Sequence, residues 1–289
     1  MGMADRHYAR EPSRAPRTLI PFNTWLIIAN IAVFVFQGFL PRKIHAVFGP
    51  IDPIAFYGHF STYQGFMRLE VWRLVSFQFI HANLIHLAFN MFGLWVFGGL
   101  VEDRLGFKRY AAYYIVCGVF GGIAYLFLNL LGSVVGLNLP GVIVNDPQTP
   151  LVGASAGVFG VIMACAKLAP NERVQLLFPP IPLRLKTFAY GYVALAALNL
   201  LLGGHNAGGD AAHLGGAIAG FFFIRNLHLL HDFFDLTGDS RPPRPSRRQA
   251  RFEREVDRVL EKVRRQSLAS LSPREREILR KASERDRGA

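Results

Sequence analysis

Long apolar segments separated by polar connections occupy most of the chain up to residue 232. A helix needs roughly 20 predominantly apolar residues to cross the hydrocarbon core of a bilayer. Six segments reach about this length. They are 19–40, 80–101, 109–132, 151–169, 184–203 and 211–231. The pattern predicts an all-α membrane protein, a bundle of six transmembrane helices.

Basic residues between these segments indicate how the helices are oriented. The amino-terminal arm, 1–17, is basic, and Arg104 and Lys108 separate the second segment from the third. The connections 133–150 and 204–210 contain no Lys or Arg. Cytoplasmic connections collect positive charge, so both termini are predicted to be cytoplasmic. The connections after the first, third and fifth segments then face outward.

Composition separates the carboxyl-terminal part from the apolar bundle. The chain of 289 residues is 51% hydrophobic, yet residues 241–289 hold 16 of its 32 Lys and Arg. The apolar remainder is typical of a polytopic membrane protein and excludes disordered, collagen-like and disulfide-rich secreted proteins. The predicted divisions are a basic cytoplasmic arm, the six-helix domain, a linker and a charged cytoplasmic helical tail: 1–17, 18–232, 233–248 and 249–289.

Two segments outside the bundle also carry structural signals. Loop 41–79 is long for a helix connection and rich in aromatic residues, so we expect it to be partly helical and to lie at the outer interface. In the tail, Ser272, Pro273 and Glu275 stand in the order of a capping box, which predicts that a helix starts there.

Four polar side chains inside the apolar segments fall at one level. His86 and Asn90 lie near the start of the second segment, Ser155 near the start of the fourth and His213 near the start of the sixth. These three segments run in the same direction, from outside to inside. All four residues are therefore expected at similar depth below the outer surface. Polar groups in membrane helices are costly, which makes these four functional candidates.

Glycines at four-residue spacing accompany the serine and the second histidine. Gly153 and Gly157 occur in the fourth segment, where Ala156 and Gly160 add a second small pair, and Gly216 and Gly220 occur in the sixth. Such pairs let two helix backbones approach closely in lipid. We therefore expect the fourth and sixth segments to pack closely, with the serine hydroxyl within reach of the His213 imidazole.

These residue types suit acyl transfer. The Ser155 hydroxyl is a weak nucleophile until a base removes its proton, and His213 is the candidate base and later acid. The carbonyl oxygen becomes a negatively charged oxyanion during acyl transfer and needs hydrogen-bond donors. The N–H groups at a helix start and the His86 and Asn90 side chains can supply them. Asp210, three residues before His213, is interpreted as a helix N-cap. The sequence therefore predicts a Ser–His dyad.

Several motifs together resemble those of the rhomboid intramembrane serine proteases, over about residues 18–230. The matching residues are Trp72 and Arg73; His81, His86 and Asn90; Gly98, Gly99, Glu102 and Gly106; Gly153, Ala154 and Ser155; and Ala212, His213, Gly216 and Gly220. The resemblance implies a rhomboid-like bundle of six transmembrane helices. It also implies that Ser155 is the nucleophile and His213 the base, with His86 and Asn90 in the oxyanion hole.

Two positions depart from the family pattern. Ala156 follows the nucleophile where the family often has glycine, and its small side chain is expected to keep the turn tight. Phe159 stands where family members often have a tyrosine packed against the catalytic histidine, and a phenylalanine ring can stack there equally.

The resemblance also implies the substrate class and the location of the protein. Family members cleave transmembrane segments of other membrane proteins near the membrane surface, without metal or cofactor, and favour small side chains at the cleaved bond. The expected partners are transmembrane protein substrates and membrane lipids, and nucleic acid is not expected. The predicted location is multi-pass in the plasma membrane of a bacterium.

Other functions were weighed against these residues. A zinc protease would need an H-E-x-x-H motif, an aspartyl intramembrane protease a pair of aspartates within its membrane segments, and an ATP-driven pump a Walker A motif; the sequence contains none of these. A transporter would favour internal repeats and central charges. The alternative kept is a rhomboid-like factor that binds membrane proteins without cleaving them. Loss of Ser155 or His213 would have marked that class, and both are present.

Overall fold

The structure is a computed structural model of the whole chain. The chain divides into two compact units, Met1–Phe234 and Asp235–Ala289. The predicted arm 1–17 and linker 233–248 lie outside the described residues. Those described are 20–41, 44–46, 49–133, 146–176, 180–202, 206–230, 255–256, 259, 261–263 and 271–287.

A helix occupies each of the six predicted segments, and short helices lie between the first two of these. The helices are α1 (Phe22–Phe39), α2 (Pro53–Gly58), α3 (Arg73–Ser76), α4 (Leu84–Leu105, with a π-helical turn at Leu94–Gly98), α5 (Phe107–Ser133), α6 (Ser155–Leu168), α7 (Leu185–Leu201), α8 (Ala207–Phe223) and α9 (Pro273–Arg287). Within the described residues, α1, α4 and α5 are long and apolar enough to cross a membrane.

The fourth predicted segment is shorter as a helix than the sequence indicated. Residues 151–169 were expected to be one span, but α6 has only 14 residues and begins at Ser155. Leu151 instead pairs with Phe60, with backbone N–O distances of 2.7 and 3.0 Å, so the chain is extended there. The apolar pattern could not distinguish this extended approach from another helical turn.

The connection between α1 and α4 is partly helical, as predicted. It begins with a hairpin of β1 (Ile44–Ala46) and β2 (Gly49–Ile51), and a π-helical turn covers Thr62–Met67. A second hairpin pairs β3 (Arg173–Gln175) with β4 (Pro182–Arg184) between α6 and α7.

The buried guanidinium of Arg73 holds the first connection together. It donates hydrogen bonds to the carbonyl oxygens of Phe56, at 2.8 Å, and His59, at 2.7 Å. Its Nε lies 2.6 Å from the Glu70 carboxylate. A buried charge is stable only when it is paired and hydrogen-bonded, and Arg73 has both kinds of partner. The guanidinium therefore ties α2 to the start of α3.

The core of the first unit lies where α5, α6 and α8 pack together. The hydroxyl of Tyr113 on α5 donates to the carbonyl oxygens of Gly160, at 2.7 Å, and Gly220, at 2.9 Å. One buried side chain thus joins all three helices. Another polar contact fixes α1, because Glu102 accepts hydrogen bonds from the first N–H groups of that helix, at 2.6 and 2.9 Å.

The second unit contains the predicted capping box. Ser272 Oγ accepts from the Glu275 N–H at 3.3 Å, and Glu275 accepts in return from the Ser272 N–H at 2.8 Å. Lys262 also donates to the Glu275 carboxylate, at 2.9 and 3.0 Å. The hydrogen bonds from Lys262 and then from Ser272 lower the pKa of Glu275 to about 2. The helix start expected at Ser272 is therefore confirmed.

Candidate active site

Ser155 begins α6 directly after a sharp turn at Gly153. Gly153 has φ +119°, a backbone conformation that residues with a side chain rarely adopt, and its N–H donates to the Phe77 carbonyl at 2.9 Å. A β-carbon at this position would lie 2.6 Å from the His86 imidazole. Glycine is required here on both grounds. The turn leaves Ser155 at a helix start, where the first N–H groups have no intrahelical acceptor.

The imidazole of His213 reaches Ser155 from α8. Its Nε2 lies 2.8 Å from Ser155 Oγ, which is hydrogen-bond distance. The ring stacks on Phe159, with centroids 4.4 Å apart and planes within 7°. Tyr192 stacks on the other face of Phe159 at 4.5 Å. The expected approach of serine to histidine is thus present, and stacking orients the imidazole.

Close contact between the α6 and α8 backbones makes this approach possible. A β-carbon on Gly216 would overlap the Ala156 carbonyl group, and one on Gly220 would lie 2.6 Å from the Gly160 α-carbon. The α6 backbone therefore comes closest to α8 at Ala156 and Gly160.

Of the four small residues predicted for the α6 half of this contact, Ala156 and Gly160 are confirmed, and Gly153 and Gly157 are not. Gly153 precedes the helix and faces His86, while Gly157 faces the ring of Tyr114 on α5. Four-residue spacing is the same on every face of a helix, so it could not show which pair faces α8.

Ala156, the departure from the family pattern, fits because its neighbour on α5 is a glycine. It is fully buried, and its methyl group lies against Gly121. A β-carbon on Gly121 would overlap the Ala156 methyl and would lie 2.7 Å from the Ala212 carbonyl oxygen. Gly121 on α5 has no side chain, and this leaves the space that the Ala156 methyl group on α6 occupies.

His86 and Asn90 lie on the inner face of α4, beside the turn before Ser155. Asn83 caps this helix by accepting from the His86 N–H at 2.9 Å. The Asn90 amide donates to the His86 carbonyl at 3.1 Å. Both side chains lie near Gly153, because a β-carbon there would be 3.7 Å from Asn90 Nδ2 as well as close to His86. The four predicted residues therefore meet around one turn, while their roles stay predictions.

His81 lies just before α4, and its ring centroid is 5.2 Å from that of His86. The His81 side chain is buried. The described part of the chain contains no group of three His, Cys, Asp or Glu residues able to hold a metal ion.

Asp210 is not the N-cap that the sequence indicated. Asn206 precedes α8, and Asp210 lies inside its first turns, buried, with Oδ1 3.4 Å from His213 Nδ1. Its Oδ2 accepts a hydrogen bond from Asn199 on α7. Sequence reasoning missed Asn199 and the stacking Tyr192. The three-residue spacing of Asp210 and His213 was visible, since residues that far apart share a helix face.

Residues 68–229, more than half of the chain, match the family model of the rhomboid domain. The chain is 29% identical over 161 residues to the Bacillus subtilis (strain 168) rhomboid protease GluP, covering 55% of this chain and 27% of that protein. It is 29% identical over 156 residues to the human mitochondrial presenilin-associated rhomboid-like protein, covering 53% and 37%. It is 26% identical over 179 residues to rhomboid protease GlpG of Yersinia pestis (strain Pestoides F), covering 62% and 53%.

The aligned part spans about half or less of the length of these relatives. Within the chain, the family match contains the serine turn, the inner face of α4 and the α8 histidine. The long apolar helices agree with a protein that crosses the membrane several times. The chain therefore belongs to the rhomboid family of multi-pass membrane proteins.

Proposed function

We propose that the protein is an intramembrane serine endopeptidase that cleaves transmembrane segments of other membrane proteins through Ser155 and His213. The observation that carries this proposal is the 2.8 Å contact between Ser155 Oγ and His213 Nε2 on a stacked imidazole. A nucleophile within hydrogen-bond reach of an oriented base is the arrangement that serine hydrolysis requires.

The first half of the reaction forms an acyl-enzyme. Ser155 Oγ attacks the carbonyl carbon of the scissile peptide bond while His213 Nε2 takes the hydroxyl proton. The carbonyl oxygen becomes an oxyanion, for which the first N–H groups of α6 and the His86 and Asn90 side chains are donors. The C–N bond then breaks, and His213 gives its proton to the leaving amine.

The second half releases the acyl group with water. His213 takes a proton from a water molecule, which attacks the ester carbonyl carbon. Collapse of this second intermediate breaks the bond to Ser155 Oγ and returns the proton to the serine. The products are a carboxylic acid and an amine, so the reaction consumes one water and needs no metal or cofactor.

The length of α6 supports cleavage inside the membrane. Its 14 residues span about 21 Å, less than the about 30 Å hydrocarbon core. With Lys167 at the cytoplasmic end of the helix, Ser155 lies roughly 10 Å below the outer surface. We therefore place six spans in the membrane with both termini in the cytoplasm, as the charge distribution favours. The partners are transmembrane substrates, and the location is a bacterial plasma membrane.

Cleavage of a model transmembrane substrate tests the proposal. The protein is purified in detergent as wild type, Ser155→Ala and His213→Ala. Ser133→Ala and His228→Ala are matched controls, because Ser133 ends α5 and His228 is exposed. We expect cleavage by the wild type and both controls and none by the two site variants at unchanged thermal stability.

A fluorophosphonate probe provides a second readout that does not depend on the choice of substrate. Labelling of the wild type and its loss in Ser155→Ala would support an activated serine. Cleavage that survives Ser155→Ala would contradict the mechanism. A wild type that neither cleaves several substrates nor reacts with the probe would favour the alternative, a rhomboid-like factor that binds membrane proteins without proteolysis.

A further inference from the structure

The carboxylate of Asp210 lies behind the candidate base, on the side opposite the serine. Asp210 Oδ1 is 3.4 Å from His213 Nδ1, whereas Ser155 Oγ is 2.8 Å from Nε2 of the same ring. The Asp210 residue is only 5% exposed. The imidazole thus has the nucleophile at one nitrogen and a buried acid at the other.

A buried carboxylate needs a compensating partner. An isolated ionised group inside a protein is strongly disfavoured, so buried charges are paired or hydrogen-bonded. Among the described residues, the ion-pair partner of Asp210 is His213, and Asn199 supplies a neutral hydrogen bond. His213 is therefore the group that can compensate the charge of Asp210 when it takes the serine proton.

Asn199 fixes the direction in which the carboxylate points. Its amide nitrogen on α7 donates to Asp210 Oδ2, which leaves Oδ1 toward the imidazole. A residue on a second helix therefore fixes the orientation of the Asp210 carboxylate. A continuous series of polar contacts crosses α7, α8 and α6. It runs from Asn199 through Asp210 and His213 to Ser155.

We infer that Asp210 is a positioning residue that acts on the reaction through His213, so that the site is a Ser–His–Asp arrangement rather than a dyad. This inference rests on the proposed function. Asp210 keeps the proton of the neutral imidazole on Nδ1, which leaves Nε2 free to accept from Ser155. It also stabilises the imidazolium that forms when the serine proton is transferred.

The other groups facing His213 do not supply this negative charge. His86 on α4 is a base like His213, and Tyr192 on α7 stacks on Phe159. The α6 residues at the ring are Ser155 and Phe159. The α5 residues against this part of α8 include Phe120, Gly121, Ala124 and Tyr125, none of which is an acid.

The distance sets the size of the expected effect. At 3.4 Å, the contact is longer than the usual N–H···O hydrogen bond of about 2.9 Å. Asp210 therefore acts mainly through its charge and by limiting ring rotation. We expect Asp210→Asn, which keeps the shape and removes the charge, to lower kcat about 10- to 100-fold with KM nearly unchanged.

The pH profile separates this role from a structural one. Asp210→Asn removes a negative charge that favours imidazole protonation, so the acidic limb of the kcat/KM profile should move to lower pH. Asp210→Glu keeps the charge and should return the limb toward its wild-type position. Asp103→Asn, the same change at an exposed acid of α4, is the matched control and should leave both rate and profile unchanged.

The outcomes distinguish this inference from the proposed function. Ser155 labelling by the fluorophosphonate probe and loss of cleavage in Ser155→Ala test the dyad itself. If both hold while Asp210→Asn matches Asp103→Asn in rate and profile, Asp210 has no part in the reaction and the inference is overturned. A slower Asp210→Asn with an unmoved acidic limb and reduced thermal stability would also overturn it, because the effect would then be structural.

Discussion

The contact between α6 and α8 and the outer face of α4 are built from opposite kinds of residue. At the first, Gly216 and Gly220 bring two backbones into direct contact. At the second, Ile85, Phe89 and Trp95 are large, apolar and about 70% exposed. A side chain that faces the bilayer needs only to be apolar. The 2.8 Å contact between Ser155 and His213 instead requires a fixed distance between the backbones of α6 and α8.

Helix α4 has one surface of each kind on its two faces. Asn90, one residue after the exposed Phe89, is buried beside the serine turn. Successive helix residues point about 100° apart, so α4 presents exposed apolar side chains outward and closely packed side chains, Asn90 among them, inward. We conclude that small changes should be costly on the inner surfaces and cheap on the outer one.

The largest effect is expected from Gly216→Ala. The added methyl group would overlap the Ala156 carbonyl, and neither backbone can yield without separating α6 from α8. We expect a loss of about 2–4 kcal/mol in the free energy of unfolding and little remaining cleavage. Unfolding in detergent and cleavage of a model substrate measure the two effects.

Gly191→Ala is the matched control for this change. Gly191 lies within α7, and a β-carbon there would have open space around it. The same substitution should be neutral or stabilising by about 0.5–1 kcal/mol, because alanine favours the helix. Equal losses in both variants would contradict the importance that we give to the α6–α8 contact.

Gly153→Ala should cost somewhat less stability and as much activity. The residue would be strained at φ +119° and would displace the His86 ring. We expect a loss of about 1–3 kcal/mol in the free energy of unfolding. Cleavage should fall at least about 100-fold, since His86, a proposed oxyanion donor, moves. A fully active Gly153→Ala would show that the turn and His86 are not needed for the reaction.

The buried histidine of the connection between α1 and α4 should make stability depend on pH. Burial lowers the pKa of His59 below the value of about 6.5 that a histidine has in an unfolded chain. The unfolded chain therefore binds the proton first, so this contribution is fully present above pH about 6.5 and is lost as the pH falls below that value.

Thermal unfolding of the wild type and His59→Asn at pH values above and below about 6.5 tests this expectation. The variant should lose less stability on acidification than the wild type, while exposed His228→Asn should behave like the wild type. Parallel curves for all three proteins would contradict the assignment to His59.

The smallest effects are expected on the outer face of α4. Phe89→Ala and Trp95→Ala remove side chains that make few contacts within the protein, so each should change the free energy of unfolding by less than about 0.5 kcal/mol. Unfolding in detergent measures this. A loss as large as that of Gly216→Ala would mean that this face is a packing surface and not a lipid-facing one.

Much of the fold was predictable because apolar length is a property of the chain alone. A helix occurs in each of the six predicted segments, and the capping box at Ser272 forms as expected. The start of α6 was misjudged because Leu151 is as apolar as a helical residue while pairing with Phe60 in extended form. The pattern of hydrophobic residues contains no signal for that pairing.

The four residues of the candidate site and the approach of Ser155 to His213 were predictable, and the place of Asp210 was not. The rarity of polar side chains in apolar segments pointed to Ser155, His213, His86 and Asn90, and the structure brings these four together. Asp210 was assigned to a cap because its distance from a helix start could not be read from the sequence. Asn206 ends up at that start, so Asp210 is free to face His213.

By itself, the sequence determined that this is a helical membrane protein with rhomboid motifs, because segment length, charge distribution and rare polar residues are one-dimensional properties. Only the tertiary structure decided which glycines touch, that Gly121 makes room for Ala156, and that Asp210 lies beside the base. These depend on how far each helix is rotated about its axis. Ser155 and His213 are 58 positions apart, and packing between helices sets that rotation.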